Sequence, residues 1–138
     1  MDIADFKRLA PYFKQTGHVI LQGWGEPLLY KNLIDAVRAV KAEGAQVGFV
    51  TSGKGLNRGI ISELIDSGID FIGFSFAGAT PKTHNSIRLN SDLETLLDNI
   101  RVLNEIRKEK KLGRPRLHIV YLLLRDNISE TPALVKLA

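Results

Sequence analysis

The chain has 138 residues, no cysteine and a formal charge of +4, which bounds it to one domain with a core of its own and excludes disulfides, zinc ribbons and a thiol nucleophile. The basic excess gathers in Arg107-Lys108-Glu109-Lys110-Lys111 and Arg114-Pro115-Arg116. Cations at a helix C-terminus complement its dipole, and no aromatic residues interleave with them, so nucleic acid is not an expected partner.

In chain order, helix and strand alternate. Ile3, Phe6, Leu9, Ala10 and Phe13 fall on one helical face that Gly17 closes. A strand is expected over His18–Gly23. Leu33, Ala36, Val37 and Val40 mark a second helix, ended by Gly44, and Gln46–Thr51 a second strand. Ile60, Ile61, Leu64 and Ile65 give a helix stopped at Gly68, followed by a strand over Phe71–Ser75. Ser91 with Glu94 forms a capping box for a long helix whose face is Leu93, Leu96, Leu97, Ile100, Leu103 and Ile106. A last strand runs over Leu117–Leu124, and Ser129 opens a helix with Pro132 in its first turn.

The strands are apolar nearly throughout, as parallel strands buried on both faces are. The fold class is therefore α/β, a series of right-handed βα units. The chain opens on a helix, with no strand ahead of it, and ends on the short amphipathic Leu134–Ala138. The whole of 1–138 reads as one partial TIM-like (β/α) barrel, lacking the first strand and the closing strands. Exposed parallel edges of such a piece recruit other chains, so oligomers are expected. No apolar run approaches the roughly 20 residues of a membrane helix, and Met1–Asp5 is no secretory signal. A cytoplasmic protein with no membrane partner is expected.

In a βα barrel the chemistry gathers at the C-terminal ends of the strands. Here these ends carry Gly23-Trp24-Gly25-Glu26-Pro27, then Thr51-Ser52-Gly53-Lys54-Gly55, then Ser75 through Gly78 to His84 and Arg88, then Arg125-Asp126-Asn127. Glu26 is either a solvated loop carboxylate or, as its confinement between Gly25 and Pro27 favours, a fixed acceptor for an ammonium group. Trp24 is expected to pack. Thr51 and Ser52 either meet a ligand or cap the loop. Lys54 among glycines resembles a phosphate loop without its full spacing. His84 serves as a base or as a hydrogen-bonding brace. Arg88 clamps a carboxylate or pairs with Asp92, and Asn127 binds ligand or caps a turn. His18 and His118 make no metal constellation. No nucleophile elbow and no carboxylate pair at catalytic spacing is present, which argues against acyl transfer and glycoside hydrolysis. One acid, several hydroxyls, one Arg and one Asn suit a zwitterionic, ribose-bearing small molecule.

Several of these segments together resemble the core of radical S-adenosylmethionine (SAM) enzymes, in the maturase-like branch with the SPASM proteins. Gly25-Glu26-Pro27 resembles the family's Gly-Gly-Glu-Pro motif, and Phe49-Val50-Thr51-Ser52-Gly53 its Thr-Asn-Gly strand end. Phe74-Ser75-Phe76-Ala77-Gly78 with His84 and Ile87-Arg88 resembles its Ser-x-Asp-Gly…His…Ile-Arg segment, and Asn127-Ile128-Ser129-Glu130 an asparagine-led helix start. The resemblance spans nearly the whole chain in order. Trp24-Gly25-Glu26-Pro27 and Phe76-Ala77-Gly78-Ala79 are also similar to variants in maturases for tungsten-cofactor oxidoreductases.

The resemblance implies that Glu26 and the Gly25 backbone hold the methionine ammonium group and Ser75 the ribose. It implies that Arg88 pairs with the methionine carboxylate and that Asn127 touches ribose or carboxylate, with Pro27, Thr51 and Ser52 beside them. It also implies a 4Fe-4S cluster that cleaves SAM to a 5′-deoxyadenosyl radical for hydrogen abstraction in cofactor or peptide maturation. The family's Cys-x3-Cys-x2-Cys ligands are absent here, Trp24 replaces a glycine, Ser52 an asparagine and Ala77 an aspartate. The isolated chain is therefore expected to be inactive. Two other readings stand beside this one: a cluster-free module binding SAM or a protein, and an unrelated barrel enzyme acting on a phosphorylated metabolite.

Overall fold

The computed structural model describes residues 1–138. Four strands, β1 (His18–Ile20), β2 (Gln46–Thr51), β3 (Phe71–Phe76) and β4 (Arg116–Tyr121), form one sheet in the order β1-β2-β3-β4. All three pairings are parallel. Sequential order in a parallel sheet is the arrangement of a barrel wall, each strand returning through a crossover to the next position.

Seven helices accompany the strands: α1 (Ile3–Lys7), α2 (Ala10–Phe13), α3 (Leu33–Ala42), α4 (Arg58–Asp66), α5 (Pro81–Ile87), α6 (Leu93–Glu109) and α7 (Thr131–Leu137). They cover one face. Val47 and Phe49 of β2 and Ile72, Phe74 and Phe76 of β3 are buried with Val37 and Val40 of α3, Ile61 and Leu64 of α4, and Leu96 and Leu103 of α6. Burying a side chain of this size stabilises by about 1.5–3 kcal/mol, so this layer holds the sheet in place.

The other face is the lumen of the barrel wall, and here the expectation of strands buried on both faces fails. Exposure alternates along β4, and on β1 His18 and Ile20 are exposed. Alternate residues share a face of a strand: Val50, Gly73 and Val120 meet there, where a Cβ on Gly73 would touch both valines at 3.0 and 3.1 Å. Ser75, two residues on from Gly73 and opposite Val120, stands on the same open face.

Local details also differ from the expected elements. One helix was expected through Phe13; two form, because Pro11 lacks an N–H and its ring clashes with the preceding turn. The first and last strands are shorter than expected, although Leu21 and Leu122 still donate to Gly48 and Phe76. The capping box at Ser91 does not form. Asp92 caps α6, accepting from Thr95 N (2.8 Å) and Oγ1 (2.7 Å), while Ser91 turns to His84. Ser129 lies in a 3-10 turn, Ile128–Glu130, and α7 follows with Pro132 in its first turn. Helix α5 was unforeseen; Thr80 accepting from Thr83 N, followed by Pro81 at the start, is its signal in the sequence.

Candidate functional site

The C-terminal ends of the strands gather the expected residues, but they fall into two groups. One group is consumed in building the mouth. Glu26 opens a 3-10 turn, Pro27–Leu29, with Pro27 in its first position, and accepts at Oε1 from Leu28 N (3.2 Å). Thr51 Oγ1 donates to the same oxygen (2.5 Å). Ser52 donates to Oε2 from both its N (2.8 Å) and its Oγ (2.6 Å). A carboxylate offers about four lone-pair sites, and all are taken. The side chain of Glu26 is thus a rivet between the ends of β1 and β2, not a free acceptor for ammonium. Thr51, buried, also accepts from Gly53 N (2.9 Å), so its hydroxyl is spent.

Asn127 is the corresponding rivet between β3 and β4. Fully buried, it donates from Nδ2 to Ala77 O (2.8 Å) and Leu122 O (2.7 Å) and accepts from Leu124 N (2.8 Å). Its own carbonyl accepts from Tyr121 OH (2.8 Å). The turn-capping alternative describes Asn127; contact of its side chain with ribose or carboxylate does not. Glu130, to which the sequence assigned no role beyond a place in the asparagine-led segment, completes this brace. It accepts from Ala79 N (2.6 Å), from Thr80 Oγ1 (3.2 Å) and from Thr83 Oγ1. The hydrogen bond from Thr83 is the main reason its carboxyl lies below the usual range.

His84 is the brace of the expected pair of roles. It is fully buried, Ala77 N donates to its Nδ1 (3.3 Å), and its Nε2 lies 2.9 Å from Ser91 Oγ. Because Nδ1 accepts, the proton sits on Nε2. Burial lowers its pKa and the Arg88 charge adds to this, against a smaller opposing effect of Asp92. The chain runs so close beneath α5 at Gly78 that a Cβ there would lie 2.6 Å from His84 N; only glycine fits.

The second group is free. No hydrogen bond within the chain uses the carbonyls of Gly23, Trp24 or Gly25, and Gly25 has φ 123°. Trp24 was expected to pack and instead stands wholly in solvent. Ser75 is half-buried on the lumen face and its hydroxyl has no partner in the chain. Arg88 pairs with no carboxylate: Asp92 is taken by Thr95 and by Asn85 Nδ2 (3.0 Å). Arg88 lines a cleft of about 390 Å³ together with Ser52, Lys54, Asn90, Ser91 and Leu122.

The 4Fe-4S cluster does not fit the residues present. Its irons take thiolates, the chain has no cysteine, and no group of three or more His, Cys, Asp or Glu side chains is placed to hold a metal ion. No helix is long and apolar enough to cross a membrane.

A parallel βα wall whose polar mouth is riveted from below and open above defines a protein of the α/β-barrel class. More narrowly, this chain belongs to the radical SAM superfamily, whose family model matches residues 1–138. It is 27% identical over 128 residues to the tungsten-containing aldehyde ferredoxin oxidoreductase cofactor-modifying protein of Pyrococcus furiosus, covering 92% of this chain and 36% of that protein. It is 33% identical over 70 residues to the PqqA peptide cyclase of Rhizobium meliloti, covering 51% of this chain and 18% of that protein. The chain spans about a third or less of the length of these relatives.

Among solved structures, archaeal TYW1 superposes with a TM-score of 0.63 at 18% identity, covering 98% of this chain and 48% of that one. BtrN, in complex with AdoMet and 2-DOIA, superposes with a TM-score of 0.58 at 23% identity, covering 93% and 46%. The partial TIM-like barrel expected from the sequence is thus the fold.

Proposed function

We propose that this chain is the SAM-binding wall of a radical SAM enzyme that modifies a cofactor or a peptide. What carries the reading is that a backbone loop with open carbonyls, an unpartnered hydroxyl and an unpaired guanidinium all belong to the C-terminal end of the sheet, at or beyond the strand ends. The carbonyls at Gly23–Gly25 suit the methionine ammonium group, Arg88 its carboxylate and Ser75 the ribose, with Ser52 beside them. Glu26, Pro27, Thr51 and Asn127 serve by holding those groups in register. The cysteine ligands of a 4Fe-4S cluster are not among these residues, so the isolated chain binds SAM without cleaving it. A cytoplasmic setting and association through the outer strands β1 and β4 go with this reading.

Calorimetric titration of the chain with SAM tests it. Binding is expected to weaken about tenfold in Arg88→Gln, the loss of one charge-assisted contact. 5′-Methylthioadenosine, which lacks the amino-acid moiety, is expected to bind both forms alike. No saturable SAM binding, or equal losses for both ligands, overturns the assignment. Incubation with SAM, iron, sulfide and a strong reductant is expected to give no 5′-deoxyadenosine; its formation refutes the predicted inactivity. The absence of cysteine equally favours a cluster-free module that only binds SAM. A Cys-x3-Cys-x2-Cys sequence encoded in frame ahead of Met1 decides for the enzyme.

A further inference from the structure

The SAM assignment uses Arg88 but leaves Lys54 without a task. Lys54 sits between Gly53 and Gly55, with φ of 82° and 84°, a conformation that side-chain-bearing residues rarely adopt. Leu56 N donates to Gly53 O (3.0 Å), closing the turn that presents the lysine. Gly53 also lies against Leu96, where a Cβ would approach Cδ1 to 2.6 Å, so the turn is fixed against α6. The lysine is exposed and, like Arg88, belongs to no ion pair in the chain.

Both cations line the same 390 Å³ cleft. Its polar lining is otherwise Ser52, Asn90 and Ser91, and it contains no carboxylate. The nearest acid along the chain, Asp92, lines the neighbouring cleft and is held by the cap of α6. Asn90 has φ 61°, so the far wall is also a formed turn. Leu122, on the far side, brings the cleft up to the end of β4. Ser52 uses both its donors on Glu26, but two unpaired cations with Asn90 and Ser91, and no carboxylate in the lining, make a local field that favours a negative group.

We propose that this cleft is an anion subsite in which Lys54, with Asn90 and Ser91, receives a carboxylate or phosphate group of the substrate, beside the SAM carboxylate held by Arg88. The proposal rests on the SAM-binding reading for its placement and narrows the substrate class to acidic molecules. A phosphate and a carboxylate share this recognition chemistry, and the test separates them.

The test titrates inorganic phosphate and succinate separately into the full chain saturated with SAM, following amide shifts of Lys54, Asn90 and Ser91 by NMR. Saturable shifts with one probe identify its group, and the Lys54→Gln variant is expected to weaken that probe about tenfold. Its thermal transition, compared with that of the unsubstituted chain, checks that folding is intact. No saturable shift with either probe, or binding unchanged in folded Lys54→Gln, overturns the anion subsite. Loss of the SAM reading is seen separately, as failure of SAM to saturate the unsubstituted chain before any anion is added.

Discussion

At the N-terminal ends of β2, β3 and β4 a buried carboxylate is matched within the chain, whereas at the C-terminal ends two cations stand unmatched. Asp70, 1% exposed, accepts from Lys41 Nζ (2.8 Å), Val47 N (2.8 Å) and Arg114, and its carbonyl takes Arg116 N (2.9 Å). One residue thus ties β2 and β4 to the start of β3. At the mouth, Glu26 ties β1 to β2 and Asn127 ties β3 to β4, but from beneath, leaving Ser75, Lys54 and Arg88 unpartnered. A group that satisfies itself adds stability; one left unsatisfied at a rim is available to something else. The N-terminal end uses its charge to hold the barrel wall together; the C-terminal end leaves charge and a hydroxyl free.

If the lower end is the structural one, Asp70→Ala should destabilise the fold more than any single substitution at the mouth. It strands Val47 N–H in the core and leaves two cations facing each other, at a cost of about 3 kcal/mol given that both partners reach solvent. Chemical denaturation measures this; a cost under about 1 kcal/mol would remove the contrast. The pH dependence has a definite sign. Burial alone would raise the Asp70 pKa, but the hydrogen bonds from Lys41 and Val47 and the nearby charges outweigh it, so the folded value is depressed. The stabilisation is then complete above the unfolded value of about 4 and is lost as pH falls through the lower folded value.

Much of this layout was readable in advance, for reasons that particular residues make plain. Helix faces such as Leu33, Ala36, Val37 and Val40 are written in local periodicity, and the order of strands follows from their alternation with helices. Periodicity is silent about which polar groups find partners. Glu26 looked free because its partners, Thr51 and Ser52, are 25 and 26 residues away in the chain. The bracing role of Glu130 carried no signal because Ala79 and Thr83 lie about 50 residues upstream. Trp24 looked like a packing residue because sequence gives size and apolarity, not exposure. The open lumen face could not be seen either, since Val50, Val120 and Leu122 are as apolar as the core.

A sharper probe of the comparison is Glu26→Gln. The amide keeps one acceptor but turns an N–H₂ toward a neighbouring donor, Ser52 N or Thr51 Oγ1. Losing charge-assisted hydrogen bonds in this partly exposed place should cost about 2 kcal/mol of stability. SAM affinity should fall too, because Ser52 and the Gly23–Gly25 loop lose their common anchor, whereas Asp70→Ala, in chain that remains folded, should leave it nearly unchanged. Equal effects of the two substitutions on SAM affinity would mean that the ends are not separable.

The smallest expected effect lies between the two ends, at His84. Its ring joins Ala77, at the end of β3, to Ser91, beside Arg88 and the cap of α6. Protonation would convert Nδ1 from acceptor to donor against Ala77 N–H, and burial together with Arg88 already disfavours the charge. The folded pKa is therefore below the unfolded value of about 6.5, and stability should decline as pH falls from there, with a slope bounded by one proton, about 1.4 kcal/mol per pH unit. His84→Gln should flatten this decline near pH 6 while leaving the Asp70 transition at lower pH in place. Unfolding free energies measured at closely spaced pH values separate the two. An unchanged profile near pH 6 would show that the histidine takes up its proton without disturbing the mouth.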